Sequence, residues 1–355
     1  MNKIILQIKD TLKKLNNSSI NYTQQPINNN VLNYIQNEFK NTRFTLAETN
    51  TYIQQFNTTS SIHTIYQLGS ININILTTKQ SHIPPRLLIE RVIKRLAVVY
   101  NVFKINKQFN FWLIPTNVNR WFPKKGIVMP KHINGGFTYI EQHNDNGNGK
   151  TKENANIFIY RREEFPKVMI HELMHHSYVD ISHNSQNIYQ EQAFITKVKD
   201  LCDISSNTRF LPNEGIIEAW ALLLQSLFIS FEYHIPFNTI MNIENTWSHK
   251  QSARLLYYKN RKNHKNNIPK NGDGNAGGAS NGDDDGENDW EETTNSYCYI
   301  IIKTLLLKDI NGFVNNSINN NITPYIEKSI VKYLPKIIPQ PLKHTHFRMT
   351  MFGDL

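Results

Sequence analysis

The residues best placed to do chemistry lie in the run Val168-Met169-Ile170-His171-Glu172-Leu173-Met174-His175. Two histidines four positions apart share one face of an α-helix, so His171 and His175 can direct two imidazoles at a single Zn2+. Glu172 is rotated about 100° around the helix from His171. That offset keeps it out of the same ligand shell but lets it reach a metal-bound water as general base. Val168, Met169, Ile170, Leu173 and Met174 are bulky and uncharged, which suits a buried helix facing a cleft. The competing reading is a core helix whose His and Glu side chains are satisfied by internal hydrogen bonds.

A catalytic zinc needs a third protein ligand and an open position for water. One solution is a further His beyond an intervening Gly, but the corresponding residues are Ile181 and Tyr178. His183 is out of helical phase, and His176 points away from the face shared by His171 and His175. The other solution is a Glu on a later helix. The run Leu211-Pro212-Asn213-Glu214-Gly215-Ile216-Ile217-Glu218 supplies two acids one turn apart on a single face. Glu214 can ligate the ion, and Glu218 can accept the N–H of a ligand histidine and fix its tautomer. Taken alone, the same run reads as a helix capped by Asn213 with an acidic first turn.

Together these two segments resemble the gluzincin metallopeptidases. Glu214 matches the ligand Glu of the thermolysin-like N-E-x-x-x-D pattern, with Glu218 where that family has its Asp. The Asn213-Glu214-Gly215 start also resembles the glutamate helix of aminopeptidase-N-like enzymes. The resemblance implies an α+β, zincin-like metallopeptidase domain: a small mixed sheet and an active-site helix, followed by a mainly helical C-terminal half. It implies Zn2+ held by His171, His175 and Glu214, with Glu218 behind a ligand histidine. The interval from His175 to Glu214 is longer than in either family and must hold an inserted helix.

Zincins lay extended substrate along an edge strand above the metal, a form of β-augmentation. Asn134-Gly135-Gly136-Phe137-Thr138 is the candidate strand, with Gly135 and Gly136 as substrate-binding positions because glycine admits a close backbone approach. Aminopeptidases place a Glu in this strand to hold the free amine. The nearest acid here is Glu141, which argues against transferring that activity. Gluzincins also add a donor for the tetrahedral oxyanion. The candidates are His249, Arg254, Tyr257 and Tyr258. Arg254 and Tyr257 share a helical face and resemble an arginine–tyrosine pair of clostridial neurotoxin proteases, so Tyr257 is taken as the donor.

The elements that must position these residues follow from periodicity and breakers. Leu88, Val92, Leu96 and Val99 form one helical face behind Pro84 and Pro85. Strands are expected over 109–116, 133–142 and 156–161. Pro166 opens the motif helix, expected to run to Asp180, and further helices are expected over 189–202, 213–231, 240–258, 297–313 and 324–333. The chain divides into an unassigned N-terminal region (1–83), a zincin-like core (84–258), an acidic Gly/Asn-rich flexible insert (259–295) and a C-terminal helical region (296–355).

Composition narrows the classes further. The chain has 355 residues, two cysteines (Cys202 and Cys298) and a net charge of +10. Two cysteines exclude a disulfide framework or a Cys-rich zinc finger. The amphipathic start is not a signal peptide, and the apolar run 219–231 is too short to span a membrane. A soluble intracellular protein is expected. Eight acids and no bases lie between Asn271 and Ile302, so the rest carries +18. That surplus permits contact with nucleic acid, but no aromatic-basic motif supports it. Residues 281–292 approximate an EF-hand loop, yet Asn281 and Asn288 depart from it and a solvated linker is expected. The leading expectation is a zinc peptidase acting on peptide or protein substrates. The alternative is a zincin-like structural or binding protein, such as a viral particle component, that no longer cleaves.

Overall fold

The protein is described here from a computed structural model covering residues 2–40, 42–45, 47–78, 83–123, 127–139, 154–181, 188–205, 208–264, 292–341 and 347–354. The chain opens with α1 (Asn2–Asn16), β1 (Asn21–Pro26), α2 (Asn29–Lys40) and α3 (Ala47–Gln54). A hairpin of β2 (Ile62–Leu68) and β3 (Ile71–Thr77) leads to α4 (Arg86–Val102) and β4 (Gln108–Thr116). A single turn, α5 (Pro130–Ile133), precedes β5 (Gly136–Thr138) and β6 (Asn154–Arg161). The remainder is helical: α6 (Phe165–Met174), α7 (Ile188–Leu201), α8 (Pro212–Tyr233) and α9 (Phe237–His264). After these, a π-helical turn (Cys298–Ile302) runs into α10 (Lys303–Leu306), followed by α11 (Ile310–Ile318) and α12 (Ile322–Tyr333).

The strands form one mixed sheet in the order β1-β2-β3-β4-β6-β5. β3, β4 and β6 run parallel, and the outer pairs are antiparallel. Parallel neighbours cannot be joined by a tight turn. α4 therefore crosses between β3 and β4, and its buried Val92, Leu96 and Val99 cover the sheet as their spacing predicts. Alternation along each strand separates two cores. Phe109, Phe111 and Leu113 of β4 and Ile157 and Ile159 of β6 pack toward α4, α6 and α8. Trp112, Ile114, Phe158 and Tyr160 pack on the other face with Ile35, Phe39 and Ile53 from α2 and α3. The α+β class is thus present, and the previously unassigned residues before Pro84 supply three of the six strands and the cover of one sheet face.

Several elements differ from their sequence-based bounds. The strand expected over 133–142 is a helical turn followed by three paired residues, with 140–153 outside the described residues. The apolar helix expected over 213–231 is longer, at 22 residues, and is long and apolar enough to cross a membrane by length and composition. Its apolar surface is used internally: 83% of an 18-residue apolar stretch within it is buried against the rest of the fold. Trp220 is fully buried at its centre, with Nε1 donating to Ser317 Oγ at 2.8 Å.

β5 lies so close to its neighbours that only glycine fits at position 136. A Cβ there would sit 2.7 Å from Ile159 Cδ1 and 2.8 Å from the Phe158 carbonyl oxygen. The missing side chain is therefore required by the protein's own packing, whatever passes over the outer edge. We predict that Gly136→Ala destabilises the fold by about 1–3 kcal/mol, read as a lower urea midpoint. A midpoint equal to wild type would show that β5 can move outward without cost.

Candidate metal centre

α6 is buried along its whole length and has a firmly anchored start. Glu164 precedes it in a left-handed conformation, φ +59°. Its carboxylate pairs with Arg120 and accepts from Thr350 N at 3.0 Å, and its own N–H donates to Asp354 Oδ1 at 2.6 Å. The helix ends earlier than expected, at Met174 rather than Asp180. Ser177 causes this: both its N–H and its hydroxyl turn back to the Met174 carbonyl, at 3.0 and 2.6 Å. The tight turn that follows carries Asp180 back to His175, which a continuous helix would not do.

Against α6 lies α8, which begins with Leu211 as cap and Pro212 in the first turn. Asn213 is therefore not the cap. Its amide donates instead to Asp180 Oδ1 at 2.7 Å. The helical face carrying Glu214 and Glu218 meets the face carrying His171 and His175. The two Nε2 atoms lie 3.3 Å apart. Glu214 Oε2 lies 3.5 Å from His171 Nε2 and 3.4 Å from His175 Nε2. On the far side of each ring, His171 Nδ1 meets Glu218 Oε2 at 2.9 Å and His175 Nδ1 meets Asp180 Oδ2 at 2.8 Å.

These distances decide the tautomers. A carboxylate can only accept, so each neutral ring carries its proton on Nδ1 and turns a lone pair inward on Nε2. Glu214 Oε2 is buried and has no hydrogen-bond partner among the described residues. Three electron-pair donors thus converge on one point. Donors bound to a tetrahedral ion at about 2.0–2.1 Å stand about 3.3–3.4 Å apart, and the observed separations fit that spacing. The residues present therefore suit a zinc-sized cation, with two His and one Glu as its donors.

The charges around the site favour a positive charge where the donors meet, whether a proton on an imidazole or a bound cation. Burial pushes Glu214 toward its neutral form, but the charge of His175 and the closeness of both imidazoles outweigh it and hold Glu214 below the ordinary carboxylate range. Glu218 is likewise held low, burial being outweighed chiefly by Lys167 and His171. Burial opposes protonation of His175, yet the charge of Glu214 and the hydrogen bond to Asp180 raise its pKa well above the usual imidazole range. Glu172 behaves differently. Burial raises its pKa, the imidazoles of His171 and His175 oppose that shift, and Glu214 adds to it.

Glu172 faces a pocket of about 30 Å3, lined with His171 by Gly135, Gly136, Tyr299 and Met349. A volume of that size admits one or two waters. The glycine strand is the outermost of the sheet, so the predicted Gly135 and Gly136 come together with the motif helix. His176 serves this strand, lying 3.2 Å from Thr138 Oγ1 and edge-on to Phe109.

The tyrosine beside the site is not the one expected. Tyr257 on α9 is exposed and does not line the pocket. Tyr258 donates to the Pro123 carbonyl, and Arg254 stacks over Phe347. The tyrosine beside the pocket is Tyr299, whose ring centroid lies 5.7 Å from that of His171. Burial raises the Tyr299 pKa well above normal, with Glu214 and Glu172 adding to the shift, so the phenol keeps its proton. Tyr299 rides on the π-helical turn, an irregularity often found at functional sites. Gly215 lets that turn approach: a Cβ there would lie 2.6 Å from Ile302 Cγ2 and 3.0 Å from the Cys298 carbonyl oxygen. Glu292 caps it, accepting from Ser296 N at 2.9 Å and Tyr297 N at 3.1 Å.

Asp180 and Tyr299 were both missed by sequence reasoning. The spacing places Asp180 at the helix end, and nothing in the sequence separates Tyr299 from the other fifteen tyrosines. His183, Glu141 and the EF-hand-like segment up to residue 291 lie outside the described residues.

The chain matches no protein-family model, no curated protein and no solved structure.

Because Asp180 fixes both the tautomer and the angle of His175, we predict that Asp180→Ala weakens Zn2+ binding by about 10–100-fold, measured by competition with a chromophoric chelator. Unchanged affinity would mean that the Asp180 contact does not orient a ligand.

Proposed function

We propose that this protein is a zinc-dependent peptidase of gluzincin type. The reading rests on the convergence of His171 Nε2, His175 Nε2 and Glu214 Oε2, with the Glu172 carboxylate facing the adjoining pocket. When bound, zinc would polarise the substrate carbonyl and acidify the attacking water. Glu172 accepts the proton of that water and passes it to the leaving amine. Its burial-raised pKa suits both roles, since a base poised nearer neutrality is also a competent acid. Tyr299 offers its O–H to the oxygen on which negative charge develops. Extended peptide lies along β5, the outermost strand of the sheet, beside Gly135 and Gly136. Glu218 and Asp180 keep both imidazoles in the donor tautomer.

The positive surplus of the chain would favour acidic protein substrates or nucleic-acid-bound ones at the encounter stage, without specifying either.

Glu172→Gln separates chemistry from metal binding, because the substitution is isosteric and leaves the three donors in place. Wild type incubated with a mixed peptide pool should yield new termini by mass spectrometry. The variant should retain its zinc and lose at least about 100-fold in rate. Cleavage by the variant at the wild-type rate would refute the role of Glu172. Wild type that holds zinc but cleaves no peptide would favour the non-catalytic, binding reading of the same centre.

A further inference from the structure

The centre contains a buried cation that the proposed reaction does not use. Lys167 stands one turn before His171 on α6 and is 2% exposed. Its ammonium pairs with Glu218 Oε1, while Glu218 Oε2 meets His171 Nδ1 at 2.9 Å. One carboxylate is therefore divided between an ammonium and a ligand imidazole. Lys303, 1% exposed, adds a second positive charge whose interaction with Glu218 is favourable, and it donates to the Met349 carbonyl at 2.9 Å.

A ligand histidine donates more strongly when the acceptor on its other nitrogen pulls harder on the N–H. A carboxylate facing His171 alone would pull hard. With Lys167 holding the opposite oxygen, negative charge is drawn away from His171, and the imidazole stays a moderate donor. The fixed ammonium also opposes any cation nearby through space, in an interior where such interactions are weakly screened. Both effects have the same sign: they loosen the metal and leave it more positive. A more positive ion is the stronger Lewis acid.

We infer that Lys167 is a positioning residue that sets the charge of the metal centre, weakening Zn2+ binding and strengthening its electrophilicity through Glu218. This rests on the metal-centre reading above. A purely structural ion pair makes the opposite prediction. Loss of its cation would leave Glu218 buried and unpaired, loosen α6 against α8 and weaken metal binding.

The test is the Zn2+ dissociation constant, measured by chelator competition on the full chain, with circular dichroism to confirm folding. Lys167→Met should bind Zn2+ about tenfold more tightly than wild type, with a lower kcat, and Lys167→Arg should stay near wild type. A folded Lys167→Met that binds equally or more weakly overturns the inference. Should Lys167→Met fail to fold, the comparison moves to Glu218→Gln with and without Lys167→Met. There the ammonium is unshielded, and its removal must tighten binding; no change or weaker binding overturns the inference. Wild type that binds no Zn2+ would instead refute the metal-centre reading itself.

Discussion

Three electron-pair donors held within 3.5 Å of one another are the constraint on which the rest of the structure depends. Two neutral imidazole nitrogens and a carboxylate oxygen repel at that separation unless a proton or a metal ion lies among them. Holding them there requires rigid supports. α6 is buried on all sides, α8 is long, apolar and mostly buried, and the rings are pinned from behind by Glu218 and Asp180. The early end of α6 belongs to the same design. Ser177 stops the helix so that Asp180 can return to His175 and be tied in turn to Asn213, the residue beside the third donor.

What the sequence makes legible is what depends on local spacing. The interval between His171 and His175, and that between Glu214 and Glu218, each define a helical face, and the structure sets those faces against each other. The buried stripe of α4 and the positions of β4 and β6 were equally readable, because a helical face and a short apolar run between breakers are local signals. Residues joined by tertiary contact were not. Asp180 could be placed only by knowing where α6 stops, and Tyr299 only by knowing which segment after the acidic insert returns to α8. Tyr257 lies away from the pocket for that reason. Its helical spacing with Arg254 was correct, but α9 directs that face at Phe347 and the surface.

The first eighty residues show the same limit. They contain no motif, yet β1 to β3 extend the sheet and α2 and α3 close its second face over Trp112 and Phe158. The last residues are also built into the core. Glu164 and Glu244, both fully buried, accept backbone N–H groups of Thr350, Met351 and Phe352, and Met349 forms part of the pocket wall. The start of the motif helix is thus tied to a segment far away in the chain. Burying so many ionisable groups is costly unless each is paired, and here the pairs converge on the helix that carries the proposed chemistry.

The central claim is that His171, His175 and Glu214 together hold one zinc ion. Elemental analysis of purified wild type beside Glu214→Ala tests it most directly. Stoichiometric zinc in wild type and its loss in the variant is the predicted result. No zinc in wild type, or zinc kept unchanged without Glu214, would contradict the account.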